Sequence, residues 1–185
     1  MNKSLTPLLL VALLSLSQCK KKDLSPEQRL PPATQTGANT FGCLVNDQAW
    51  LPSQNYAAAS VALYEPGASQ PIGGNLNIHA FRDVQKGQSN TRQTITLAAG
   101  PIRTARLYSL TSASPEAYVS FSDRSKAYPC NDYSSGIPLI YQRGSVTITR
   151  IDEQAGVLAG TFEFVLAQPG CDTIRVTQGL FDYKL

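Results

Sequence analysis

Hydrophobic and polar positions alternate with a period of two along most of this chain, and the alternation is densest near its end. In 144–150, Val146 and Ile148 fall on one side and Ser145, Thr147 and Thr149 on the other. In 157–166, Leu158, Gly160, Phe162, Phe164 and Leu166 share a face, with Ala159, Thr161, Glu163 and Val165 opposite. After Gln168-Pro169-Gly170 a third run carries Ile174 and Val176 inward, then Phe181 and Tyr183. A period of two is the signature of half-buried strands, so the spacing predicts a three-stranded antiparallel meander. The inward parity switches from even to odd near Gly179, which a one-residue bulge at that glycine explains.

The same pattern recurs upstream. Residues 40–46 and 47–52 read as a hairpin turning at Asn46-Asp47, two residues that tolerate left-handed backbone. Trp50 falls in its second strand as a core or edge anchor. Further strands are expected over 57–64, 75–82, 92–99, 103–110 and 117–122, with Gly100-Pro101 breaking the run before it and 123–136 as the least regular stretch. No window sustains a 3.6-residue apolar period, so very little helix is expected. Short strands with Gly and Pro between them indicate an all-β domain, an antiparallel β-sandwich with a closed β-barrel as the alternative.

The amino terminus departs from this pattern. A short basic start, Met1-Asn2-Lys3, precedes the apolar run 7–14, which is the layout of a secretory signal and too short to span a bilayer as a mature helix. It ends in Leu16-Ser17-Gln18-Cys19, followed by three lysines and Asp23. This junction resembles a bacterial lipoprotein signal, and the resemblance implies cleavage before Cys19 and acylation of its thiol, for example with palmitate. The other reading is a plain secretory signal with Cys19 incidental. Several acyl chains on one cysteine anchor stably, whereas one alone is marginal. Residues 1–18 are thus expected as signal peptide, 19–36 as lipidated cysteine and flexible tether, and 37–185 as one β domain. The expected location is the outer membrane, facing the periplasm, with the cell surface as the alternative.

Charge argues against nucleic acid as a partner. Five of the 16 Lys and Arg residues lie in the first 35 positions, and from Thr36 onward 11 basic residues face 11 acidic ones. A nucleic-acid binder concentrates positive charge on the folded domain. The run from Leu30 through Phe41-Gly42-Cys43-Leu44-Val45-Asn46 to Trp50, and the ending Gly160-Thr161-Phe162-Glu163-Phe164 to Val176-Thr177-Gln178-Gly179-Leu180-Phe181-Asp182, are similar to a family of Bacteroidota lipoproteins known as a domain of unknown function. That resemblance implies an all-β envelope domain and supplies no activity, substrate or catalytic residue.

With Cys19 acylated, three cysteines remain in an oxidising compartment. Cys130 and Cys171 both follow prolines in loop sequence and are expected to pair, pinning the irregular loop onto the closing meander. Cys43 lies mid-strand and behaves as a small buried hydrophobe. A Cys3His zinc site from Cys43, His79, Cys130 and Cys171 lacks any close ligand pair. His79 is the single histidine, no Gly-x-Ser-x-Gly elbow accompanies it, and no catalytic set, metal or cofactor is expected. Carboxylates for glycan hydrolysis could be drawn from Glu65, Asp83, Glu116, Asp123, Glu163 and Asp182, as in any β protein of this size. Tyr128, Tyr133 and Tyr141 cluster around the irregular loop and could line a binding surface. The expectation is therefore a non-enzymatic envelope lipoprotein whose β domain binds a protein partner or small ligand, against an envelope hydrolase or a purely structural component.

Overall fold

The computed structural model describes residues 23–53, 74–85, 88–110, 116–134 and 141–185, and the backbone of 60–66. Cys19 and the apolar leader lie outside them. Among the described residues eleven strands form two antiparallel sheets packed face to face, neither closed into a barrel. The first sheet holds β1 (Thr40–Val45), β2 (Gln48–Trp50), β6 (Leu107–Ser109), β9 (Tyr141–Asp152), β10 (Val157–Ala167) and β11 (Ile174–Lys184), in the order β2-β1-β11-β10-β9-β6. The second holds β3 (Ser60–Pro66), β4 (Gly74–Asp83), β5 (Arg92–Ile102), β7 (Ala117–Asp123) and β8 (Asp132–Ser134), in the order β3-β4-β5-β7-β8. The helical elements among the described residues are two single 3-10 turns, Glu27–Arg29 and Ser89–Thr91.

The alternation sets the two faces. Val146, Ile148, Leu158, Phe162, Phe164, Leu166, Ile174, Val176, Phe181 and Tyr183 are all buried, and they meet Leu76, Ile78, Ala80, Ile95, Leu97, Val119 and Phe121 of the second sheet in one core. Asn46 and Asp47 both take positive φ, 47° and 62°, closing the β1–β2 hairpin as their residue types allow.

Two local expectations shift. The bulge in β11 lies one residue before Gly179: Thr177 and Gln178 together oppose Glu163, and Gln178 takes the left-handed φ of 51°. Gly100-Pro101 does not end β5, because that pair forms a bulge opposite Asn75 and the ladder resumes at Ile102 with Gly74. A bulge is where a strand tolerates a residue without an N–H.

The two sheets are locked at one edge by a polar cluster. Trp50, fully buried on β2, donates its indole N–H to Oε1 of Gln93 on β5 at 3.0 Å, and the Arg82 Nε donates to the same oxygen at 3.0 Å. The Gln93 amide then donates to Asp123 at 2.8 Å. Arg82 also reaches the Ala49 carbonyl and lies 5.4 Å from the Trp50 ring centroid. Burial lowers the Arg82 pKa, with opposition from Cys43 and Asp123 nearby. Burial also pushes the Asp123 carboxyl up, but hydrogen bonds from Ser125 and Gln93 outweigh it and the net shift is downward.

Candidate functional site

Cys130 and Cys171 are bonded to each other, joining the loop after β7 to the β10–β11 turn. Gln168, at the end of β10, reinforces the junction by donating to the Pro129 carbonyl at 2.7 Å. Cys43 is free and fully buried, and burial pushes its thiol pKa well up. Tyr133 is a core residue: it is 2% exposed, its ring meets Phe121, and its hydroxyl donates to the Asp172 carbonyl at 2.7 Å. It is therefore no part of a binding surface. Tyr128 and Tyr141 are exposed, 87% and 56%. They mark the same end of the sandwich, since Tyr141 pairs with Ala167 next to Gln168 while Tyr128 precedes Pro129.

The acidic residues go to separate duties. Asp83 pairs with Arg92 at 2.9 Å and Glu116 with Arg106 at 3.0 Å. Asp83 and Asp123 face opposite sides of their sheet, while the Glu65 side chain lies outside the described residues. His79 is exposed on the outer face of the second sheet, 3.2 Å from the Thr96 hydroxyl.

Asp182 has an unforeseen role. Its fully buried carboxylate receives a length of chain, most of which the sequence assigns to the flexible tether. The Thr34 hydroxyl donates to it at 2.6 Å, and the backbone N–H groups of Thr36, Gly37 and Ala38 donate at 3.0, 2.7 and 3.2 Å. Burial opposes ionisation, yet these donors outweigh it and hold the Asp182 pKa at about 2. Arg150 of β9 reaches over to donate to the Gln35 carbonyl. Pro31 lies against Gly42 of β1, where a Cβ would come within 2.8 Å of the proline Cδ, so only glycine lets the chain lie flat there. Residues 31–38 thus form a strap across the outer face of the six-stranded sheet.

Beside the strap that face holds a groove of about 390 Å3. Cross-strand pairing builds its floor: Leu107 opposes Thr147, Thr147 opposes Thr161, and Thr161 opposes Leu180. Ala33 of the strap forms part of the wall, and Ser145, Glu163 and Gln178 occupy the next row. The two leucines give apolar contact, while the hydroxyls, the amide and the carboxylate give donors and acceptors that can exchange water for a ligand's polar groups. The alternation places Ser145, Thr147, Thr161 and Glu163 on outward faces without bringing them together; the run of hydroxyls at 145, 147 and 161 is the available signal.

No protein-family model matches the chain, and no curated protein or solved structure matches it.

Proposed function

We propose that this chain is a lipid-anchored envelope protein whose β-sandwich binds a small ligand, without catalysing a reaction, in the groove on the outer face of the six-stranded sheet. The anchor rests on the Cys19 junction, and the outer membrane, periplasmic side, is the location that junction and the following lysines favour. The groove carries the binding reading. It combines hydroxyl, amide and carboxylate groups with two leucines, and the chain running toward the anchor itself forms one side. Only residues 20–30 remain between Cys19 and Pro31, where the strap first meets the sheet, a reach of at most about 40 Å when extended. The site is therefore held close to the bilayer, beside the chain that leads to it.

The test is native mass spectrometry of the full chain purified from an outer-membrane fraction, beside Cys19→Ser and Thr161→Arg variants. Expected are an acylated amino-terminal Cys19 lost in the serine variant, and an excess native mass lost when arginine fills the groove. A bare mass for the parent chain, unchanged in Thr161→Arg, refutes the groove reading; an unacylated amino terminus refutes the anchor.

A further inference from the structure

One row beyond the groove the same face carries two arginines with no counter-ion among the described residues. Arg143 on β9 and Arg175 on β11 both stand directly opposite Val165 of β10, one on each side. Both are exposed, and the half-buried Val165 makes a low floor between them. Neighbouring strands lie about 4.8 Å apart, which sets their Cα atoms about 10 Å apart. Arginine side chains are long enough for both guanidinium groups to meet above the valine.

Two exposed like charges about 10 Å apart stand at about one Debye length, so salt screens most of their repulsion, and an anion placed between them is attracted by both. Several other arginines are engaged: Arg92 with Asp83, Arg106 with Glu116, Arg150 with Asp152, and Arg82 with Gln93 and the Ala49 carbonyl, whereas Arg103 is exposed and has no such partner among the described residues. Among the described residues neither an ion pair nor a hydrogen bond reaches the guanidinium groups of Arg143 and Arg175. Glu163, two residues along β10 and about 7 Å away by strand rise, pairs with neither. Planar guanidinium groups match the two-oxygen edge of phosphate and carboxylate, and a pair of them shares such a group well.

We propose that Arg143 and Arg175 form a clamp over Val165 for the phosphate or carboxylate of a hydroxyl-bearing ligand whose body lies in the groove. This rests on the groove being a ligand site. The row spacing places the anion about 7 Å from the Ser145–Glu163 row and about 14 Å from Thr147 and Thr161. Glu163 then accepts from ligand hydroxyls and keeps the anionic end away from the groove centre.

The experiment uses the full chain carrying Cys19→Ser, so that no acyl chain contributes, and titrates glucose, glucose 6-phosphate and glucuronate by calorimetry. Vesicles of phosphatidylglycerol or phosphatidylcholine form a parallel arm, read by co-sedimentation. Glucose 6-phosphate or glucuronate should bind at least tenfold tighter than glucose. Arg143→Gln with Arg175→Gln should abolish that difference, while Arg103→Gln, an exposed arginine elsewhere, should preserve it. Binding to phosphatidylglycerol but not to the sugar acids, lost in the double variant, keeps the clamp and makes a lipid headgroup the source of its anion. The clamp is overturned if the double variant behaves as the parent toward every probe, or if the parent binds no anionic probe. In either case Thr161→Arg in the native mass measurement judges the groove on its own.

Discussion

Replacing Asp182 tests the strap most directly. Its carboxylate receives the Thr34 hydroxyl and three consecutive backbone N–H groups, and its pKa falls from the usual 3.8 to about 2. A shift of that size is worth about 2.4 kcal/mol at 1.36 kcal/mol per pKa unit. The carboxylate lies under a single layer of chain, with Thr36 and Ala38 themselves exposed, so water replaces part of what is lost. Screening of this kind trims the expectation to about 1–2 kcal/mol for Asp182→Asn at pH 7. The folded pKa is depressed, so the stabilisation is fully present above about pH 4 and disappears as pH falls through about 2. Asp182→Asn should therefore lower the parent stability at pH 7, and the two stabilities should converge toward pH 2. Urea unfolding followed by Trp50 fluorescence at pH 7, 5, 3 and 2 reads this difference. Hydrogen exchange at Thr36, Gly37 and Ala38 distinguishes local release of the strap from global loss. Equal stabilities at pH 7, with unchanged exchange at these three amides, would refute the argument.

Three further outcomes are expected. Gln93→Ala strips partners from the Trp50 indole, Arg82 and Asp123 together, and should destabilise by about 2–4 kcal/mol in urea melts; a loss below about 0.5 kcal/mol, the size of an ordinary surface substitution, refutes the interlock. Replacing Cys130 and Cys171 by alanine opens a bridge spanning 41 residues and should cost about 3–4 kcal/mol. The parent should gain two hydrogens in mass on reduction, with the Cys43 thiol alkylated only after unfolding because it is buried; labelling of the native protein refutes that. Gly160→Ala sets a Cβ against the Phe181 ring and the Thr147 carbonyl, which cannot both withdraw, and should cost more than about 2 kcal/mol by thermal melting.

The sheet architecture was largely legible because a half-buried strand writes its burial into every second residue. Val146 to Ile148 and Leu158 to Leu166 declare their inward face whatever they pack against. The Asn46-Asp47 turn was legible because backbone preference acts over few residues, and the Cys130–Cys171 bridge because few cysteines were left to pair and these two lie in loop sequence. Tyr133 was misread because an aromatic with a polar tip suits a core as well as a surface, and the Asp172 carbonyl that satisfies its hydroxyl is 39 positions away in sequence.

The strap and the site were beyond the sequence. Nothing in Pro31 to Ala38 marks it as docked, because it has no apolar periodicity and its partner, Asp182, lies nearly 150 residues on. The groove residues come from β6, β9, β10 and β11, and the arginines from strands on either side of β10. Periodicity determines which way each of these side chains points. Only the strand order and register decide which of them stand side by side, because pairing depends on the free energy of the whole packed sandwich rather than on any one segment.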